Sequence, residues 1–160
     1  MSNTDISCQE IVICRMRQEH LPEVAALEKE IFSQPWSYQS LKDAIDNEKN
    51  CYFCAYIEEG TTKRLAGYCG FWNVAQEGQI YNVAVDARYR RRGIGRRLLQ
   101  KLLEEGKKAG ILSYTLEVRK SNEDAIHMYE HLGFESAGIR KNFYDAPKED
   151  AVIMWLTVQP

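Results

Sequence analysis

From Val83 to Leu99 the chain reads Val-Ala-Val-Asp-Ala-Arg-Tyr-Arg-Arg-Arg-Gly-Ile-Gly-Arg-Arg-Leu-Leu. An apolar segment of strand character runs into a loop dense with arginine. The loop closes on Gly93-Ile94-Gly95, where a helix striped by Leu98, Leu99, Leu102 and Leu103 begins. A buried strand feeding such a helix demands a sheet for the helix to cover. The start of a helix offers unpaired N–H groups and the positive end of its dipole, which suits a phosphate. Glycines let the backbone approach an anion closely. Six arginines between Arg88 and Arg97 supply positive charge around that point.

Other phosphate motifs fit poorly. A dinucleotide site of the Rossmann kind places its first glycine directly after the strand, whereas seven residues separate Val85 from Gly93 and the third glycine is missing. A Walker loop needs Gly-Lys-Ser/Thr, which is absent. An RNA-binding patch could use the arginines, but only Tyr89 is interleaved as an aromatic platform. A pyrophosphate cradle and a merely solvated basic helix start both remain open from the residues alone.

The rest of the chain frames this segment. With 160 residues it suits a single domain spanning 1–160, and no repeat or Pro/Gly/Ser-rich linker divides it. A strand is expected over 11–16, then a helix over 22–32 with Val24, Leu27, Ile31 and Phe32 as its apolar stripe. Pro35-Trp36 breaks that helix, and Ser37 caps a second one striped by Leu41, Ala44 and Ile45. Strands follow over 51–57 and 65–74, joined as a hairpin, and over 79–85. The leucine helix ends at Gly110; a strand over 112–118, a helix over 122–132 and strands over 134–140 and 151–158 complete the chain, the last two separated by a polar loop. The order β-α-α-β-β-β-α-β-α-β-β predicts an α/β fold with a mixed, mostly antiparallel central sheet and helices on both faces.

Charge and cysteine usage narrow the function classes. The formal net charge is −2, so nothing global draws the chain to nucleic acid or an acidic membrane. The apolar run over 151–156 is far too short to span a bilayer. The start, Met1 to Asp5, has neither the basic region nor the apolar stretch of an export signal. The cysteines number five, an odd count that points to free thiols in a reducing compartment, hence the cytoplasm. Cys51-x-x-Cys54 could be half a metal site, but no second pair exists and His20, His127 and His131 are not spaced to complete one, so no metal is expected.

Three polar residues in the second half carry two readings each. Glu117 shares a strand face with Thr115 and Arg119, opposite Tyr114, Leu116 and Val118; it is either a solvated face residue or a carboxylate presented to a site. Tyr129 lies four residues after Ala125 and three after Ile126, which alone reads as a core aromatic. Asn122 or Ser121 caps the helix that follows, with Asp124 in its first turn.

A family resemblance bears on these choices. Arg90-Arg91-Arg92-Gly93-Ile94-Gly95 resembles the Arg/Gln-x-x-Gly-x-Gly/Ala signature of the GNAT acetyltransferases, and Asn82-Val83-Ala84-Val85 resembles their central strand. The segment from Asn122 through Ala125, Tyr129 and Gly133-Phe134 resembles their Asn-x-x-Ala-x-x-x-Tyr-x-x-x-Gly-Phe element, so the likeness covers about Leu65 to Trp155. Within the family the chain is most similar to the branch that acetylates a ribosomal protein on its N-terminal alanine. Phe32-Ser33-Gln34-Pro35-Trp36-Ser37 resembles that branch's Phe-Pro-Trp-Ser element with Ser33 and Gln34 inserted. Leu116-Glu117-Val118-Arg119 matches its Leu-Glu-Val-Arg strand, and Arg140-Lys141-Asn142-Phe143-Tyr144 resembles its Arg-Arg-Asn-Tyr-Tyr loop, with Lys141 and Phe143 as departures.

The resemblance implies an enzyme that moves an acetyl group from acetyl-coenzyme A directly to an amine in a ternary complex. Its acceptor is then a protein N-terminus, an alanine of a small-subunit ribosomal protein, with no nucleic acid, membrane or metal involved directly. Backbone groups of Val83, Ala84 and Val85 would take the pantetheine arm; Arg91, Arg92, Gly93, Ile94, Gly95 and Arg96 would hold the pyrophosphate, with Asn122 as a further coenzyme contact. Glu117 would be the general base, Tyr129 the general acid, and Trp36 and Tyr144 acceptor contacts. A glutamate near 4.3 is a weak base toward an α-ammonium near 8, so Glu117 needs either an amine that enters partly neutral or a water that relays the proton. A lysine side chain or a small metabolite is the alternative acceptor. A non-catalytic acyl-coenzyme A binder or an RNA-associated module is the alternative class.

Overall fold

The computed structural model describes residues 9–158; Cys8 and the start at Met1–Asp5 lie outside them. Seven strands form one sheet in the order β1-β2-β3-β4-β5-β7-β6. They are β1 (Gln9–Arg15), β2 (Cys51–Glu59), β3 (Thr62–Val74), β4 (Glu77–Val85), β5 (Ser113–Arg119), β6 (Glu135–Asp145) and β7 (Lys148–Thr157). Every neighbouring pair is antiparallel except β4 with β5. The helices are α1 (Leu21–Ile31), α2 (Tyr38–Asp46), α3 (Ile94–Lys108) and α4 (Glu123–His131). This is the expected order of elements and the expected mixed sheet.

Strand alternation explains why helices cover both faces. In β2, Cys51, Phe53, Ala55 and Ile57 join the core under α3 and α4, while Tyr52, Cys54 and Tyr56 join a second core under α1 and α2. Cys51 and Cys54 therefore point to opposite faces and cannot share one metal ion. Burial pushes the Cys51 thiol up to about 11 and holds Cys69 well above its ordinary value, as suits packing residues. On α3, Leu98, Leu99 and Leu102 are wholly buried, each worth about 1.5–3 kcal/mol of apolar transfer. Ser37 caps α2 as predicted, accepting the Ser40 N–H at 3.1 Å. None of the helices of the described residues is long and apolar enough to cross a membrane.

Two expectations need correction. Phe32 does not belong to the α1 core stripe: it follows the last helical residue, with extended backbone, and is exposed. The polar stretch between the last two strands is no loop either, because β6 and β7 run on as a hairpin arm to a turn at Ala146-Pro147. The arm belongs to an edge strand solvated on both sides, which needs no apolar alternation, so its polar sequence reads as loop. Asn142 in the arm takes a left-handed φ of 53° and donates its N–H to Asp150 Oδ1 at 2.8 Å.

Candidate active site

The site is opened by one extra residue in β4. Against β3 the register passes from Asn82 opposite Gly70 to Ile80 opposite Phe71, so Tyr81 has no partner. The bulge reverses which face later residues present. Ile80 packs into the α3 core, whereas beyond the bulge Val83 and Val85 do so and Ala84 joins the α1/α2 core. It also coincides with the parting of β4 from β5. The two pair only over Glu77–Ile80 with Ser113–Leu116, after which β5 continues against β7 alone. The β5-facing edge of β4 at Val83, Ala84 and Val85 is therefore unpaired with any strand. The Val85 carbonyl accepts from Arg90 Nε at 3.4 Å.

At the foot of β4 the arginine loop divides its charges among separate tasks. The Asp86 carboxylate caps a single 3-10 turn, Ala87–Tyr89, and accepts from the Arg88 backbone N–H, Nε and Nη2 at 2.9, 3.1 and 2.7 Å. Those bonds hold the Asp86 carboxyl below its usual range and commit Arg88 to structure. Arg92 lies over the Tyr89 ring, 5.4 Å from its centroid, and borders neither of the large cavities described here. Arg91 and Gly93 both adopt left-handed backbone, φ 65° and 75°. Gly93 then stands at the N-cap of α3 with no side-chain cap. The first helical bond runs from Arg97 N–H to the Gly93 carbonyl, so the N–H groups of Ile94, Gly95 and Arg96 precede the ladder. Gly95 answers a packing need: a Cβ there would lie 3.2 Å from Met128 Sδ and 3.5 Å from Val85 Cγ2.

Around this helix start lies a cavity of about 640 Å³, bounded by Val83–Val85, Arg90, Arg91, the Gly93–Arg96 turn, Asn122 and Tyr129. A second cavity of about 560 Å³ lies across the gap between β4 and β5, lined among others by Glu28, Trp36, Tyr81, Glu117, Tyr129 and Tyr144. Ile31, Phe32, Val83, Asn122 and Tyr129 line both. The two cavities thus meet at Tyr129.

Each polar residue at the junction is placed by its own element. Asn122 does cap α4, accepting the Ala125 N–H at 3.3 Å, and it also borders both cavities, so the two readings of this residue are compatible. Two turns later Tyr129 is 5% exposed, its ring centroid 5.7 Å from that of Phe134. Burial pushes its phenol well above the ordinary value, with lesser contributions from Cys69 and Tyr144. Glu117 lies half-buried on the cleft face of β5, its carboxylate 3.5 Å from Arg140 Nε. Beside it, Arg119 pairs with Glu149 at 3.1 Å and sits over the Tyr144 ring at 4.3 Å. Burial takes the Tyr144 phenol up to about 12, although the Arg119 charge opposes the rise. On the opposite wall the Trp36 indole contacts Trp72 and Tyr81, each at 6.2 Å between ring centroids.

The structure therefore gathers Glu117, Tyr129, Val83, Asn122, Trp36 and Tyr144 around one cleft. Val83–Val85, Arg91, Gly93, Ile94, Gly95, Arg96 and Asn122 gather around the other cavity, and Arg92 around neither. Sequence reasoning passed over Phe32, Arg90 and above all Glu28. Glu28 falls with Val24, Leu27 and Ile31 on the apolar stripe of α1, and a carboxylate on such a stripe is the signal that could have found it.

The model of the acetyltransferase (GNAT) family matches residues 21–134. A protein of Escherichia coli strain K12 named [ribosomal protein bS18]-alanine N-acetyltransferase is 34% identical over 148 residues, covering 91% of this chain and 97% of that one. Among solved structures, the ribosomal-protein-S18-alanine N-acetyltransferase from Escherichia coli superposes with a TM-score of 0.82 at 33% identity, covering 94% of this chain and 96% of the other. The NatC complex bound to Gag peptide and CoA gives a TM-score of 0.83 at 21% identity over 94% of this chain, a likeness of fold.

Proposed function

The chain belongs to the acetyltransferase (GNAT) family, and on that premise we propose that it carries an acetyl group from acetyl-coenzyme A to the α-amine of an N-terminal alanine on a small-subunit ribosomal protein. The observation that carries this reading is the meeting of two cavities at Tyr129, one floored by an unpaired strand edge and an uncapped helix start, the other by Glu117. The long match to enzymes named for that activity supports the choice of acceptor. The expected compartment is the cytoplasm, where acetyl-coenzyme A and ribosomal proteins coexist.

The residues present fit the coenzyme. A free strand edge at Val83–Val85 offers N–H and C=O groups to an amide-bearing arm, as an added strand would. The N–H groups of Ile94, Gly95 and Arg96 would receive the pyrophosphate, with Arg91 and Arg96 beside it and Asn122 as a further contact. Arg92 would contribute at longer range from its place on Tyr89. When bound, acetyl-coenzyme A supplies an activated thioester carbonyl. Trp36 and Tyr144 wall the acceptor cleft and orient the incoming chain end. Glu117 accepts the proton that the acceptor nitrogen sheds, directly or through a water. Tyr129 presents its O–H to the departing sulfur. Its raised pKa widens the gap between phenol and thiol, so the hydroxyl serves as a hydrogen-bond donor more readily than as a full proton donor. No nucleophilic side chain of the protein is acetylated in this scheme.

The direct test incubates the protein with acetyl-coenzyme A and short peptides differing only in the first residue, then locates the added mass by tandem spectrometry. Acetylation of the α-amine, fastest for alanine, is expected. Label on a lysine side chain, or no preference for the first residue, would redirect the acceptor assignment.

The pyrophosphate assignment has its own test in Gly93→Val. A Cβ at this position meets nothing within 4 Å, so the change leaves the surrounding packing intact. It imposes left-handed strain of roughly 1–2 kcal/mol and puts a branched side chain where the anion would lie. Gly60→Val is a matched control, with a φ of 62° and no atom within 4 Å of its Cβ, in the β2–β3 turn. Both variants should lose similar stability in thermal melts. In calorimetry with acetyl-coenzyme A only Gly93→Val should weaken binding, by at least about tenfold, or roughly 1.4 kcal/mol.

A further inference from the structure

Glu28 is a buried carboxylate that the chemistry above does not use. It is 2% exposed, on the third turn of α1, and it borders the acceptor cleft. Its Oε2 accepts the backbone N–H of Trp36 at 2.9 Å. Its Oε1 accepts from the Tyr68 hydroxyl, which projects from β3 in the middle of the sheet. The carboxylate therefore ties the segment between α1 and α2 to the sheet, at the residue whose indole forms the cleft wall. At Trp36 itself the other grip is aromatic contact, against Trp72 and Tyr81, while Ser33 earlier in the segment donates its hydroxyl to the Ala146 carbonyl. Trp72 is itself fixed, donating from Nε1 to the Tyr52 hydroxyl at 3.0 Å, which in turn donates to the buried Asn82 at 2.8 Å.

We propose that Glu28 is a positioning residue: it clamps the Trp36 segment at the height that lets the cleft grip the acceptor's chain end, and so it sets acceptor affinity and not the chemical step. This rests on the reading of that cleft as the acceptor site. The physical case is one of reach. Helix α1 ends at Ile31, and among the described residues the stretch from Phe32 to Ser37 has one other hydrogen-bonded tie to the sheet, from the Ser33 hydroxyl to the Ala146 carbonyl at the exposed β6–β7 turn, three residues short of Trp36. A buried acceptor with two donors aimed at it has one preferred geometry, because releasing either donor leaves a polar group unpaired in a dry place. The Trp36 N–H is thereby held where a flexible connection would let it drift, and a preorganised wall spends less of the acceptor's binding energy on ordering.

Two conservative variants separate reach from charge. Glu28→Gln keeps the reach: its Oε1 can accept the Trp36 N–H while its Nε2 donates to the Tyr68 oxygen, so the charge goes and the Tyr68 O–H gives up its acceptor, but the bond that holds Trp36 stays. Glu28→Asp keeps the charge and withdraws it by one methylene, so both bonds cannot be made together. With an alanine-starting peptide, Glu28→Gln should keep its KM within about twofold of wild type, whereas Glu28→Asp should raise KM by about tenfold, the worth of one charge-assisted hydrogen bond. Turnover at saturating peptide and calorimetric affinity for acetyl-coenzyme A should stay near wild type in both. Amide hydrogen exchange at Trp36 should quicken in the aspartate variant alone. Equal KM rises in both variants would mean that the charge itself meets the acceptor, and unchanged KM in Glu28→Asp would mean that the clamp is idle; either overturns the proposal. A general loss of melting temperature with parallel falls in coenzyme affinity and turnover would mark Glu28 as merely structural, which also overturns it. Wild-type protein inactive on every peptide would instead sink the acceptor reading, while the exchange measurement would still report on the clamp.

Discussion

Replacing Tyr129 with phenylalanine should cut turnover by about 10²–10³-fold, the usual cost of removing one preorganised hydrogen-bond donor from a developing anion, while coenzyme affinity and melting temperature stay near wild type. The argument starts from packing. The ring rests against Phe134 in the core beneath α4, and phenylalanine fills the same volume. Only the hydroxyl goes, and the hydroxyl belongs to the one side chain at which both cavities are joined by a titratable group buried to 5% exposure. Burial holds that phenol protonated well above its ordinary range, so the wild-type donor is available at every pH where the protein is folded. The loss in the variant should accordingly be the same at pH 6 and at pH 9. Raised tyrosines also limit the assay. Tyr52, Tyr68 and Tyr129 are all shifted upward by burial. The stability tied to each is complete below the ordinary phenol value near 10 and is lost as pH climbs beyond it. Rates should therefore be read no higher than about pH 9.5. A phenylalanine variant with near-normal turnover would leave Tyr129 as the core aromatic that its spacing alone suggests.

The elements that could be read from the sequence are those whose periodicity is enforced by a single core. Leu98, Leu99 and Leu102 recur at helical spacing because α3 buries one stripe, and β5 alternates because only Tyr114, Leu116 and Val118 enter the core. What escaped reading is set by partners distant in the chain. Nothing local marks Tyr81 as the bulged residue; its status depends on how β4 meets Gly70 and Phe71 of β3. Yet that bulge reverses the strand's faces and accompanies the gap in the sheet, without which the glycine motif would face an ordinary paired strand. The hairpin arm escapes for the opposite reason, since the residues between Lys141 and Asp150 show no apolar alternation and their strand pairing is only with each other.

The candidate site was legible as a set of motifs and not as a set of geometries. The glycine loop announced an anion, but six arginines in sequence gave no hint that Arg88 is spent on Asp86 or that Arg92 lies on Tyr89 while Arg90 and Arg91 face the cavity. Glu28 shows the same limit from the other side. Among Glu23, Glu28 and Glu30 of α1, only Glu28 lies on the apolar stripe, and its two donors come from Trp36, eight residues on, and Tyr68, forty residues on. A stripe position can be read from spacing; a hydroxyl arriving from β3 cannot.

Glu117→Gln should lower turnover at neutral pH by about 10²–10⁴-fold and, unlike Tyr129→Phe, should do so with a distinctive pH dependence. Glutamine keeps the shape of the side chain and its place on the cleft face of β5, but it cannot take up a proton. It also forfeits the ion pair with Arg140, whose own side chain is 57% exposed, and a pair so solvated contributes at most about 1 kcal/mol, so the melting temperature should hardly move. The wild-type rate should rise with pH as the acceptor's α-amine, near 8, loses its proton. In the variant the requirement for a base remains at low pH, where the amine is almost wholly ammonium, and weakens above 8, where the neutral amine enters already able to attack. The gap between wild type and Glu117→Gln should therefore be widest near pH 6 and narrow progressively toward pH 9.5. A base acting through water gives the same direction with a shallower recovery, because the relay is still needed once attack has made the nitrogen acidic. Rates for both proteins across that range, with one alanine-starting peptide at saturating acetyl-coenzyme A, decide the matter. A ratio below twofold at every pH would return Glu117 to the solvated strand face and leave proton removal to another group lining the same cleft.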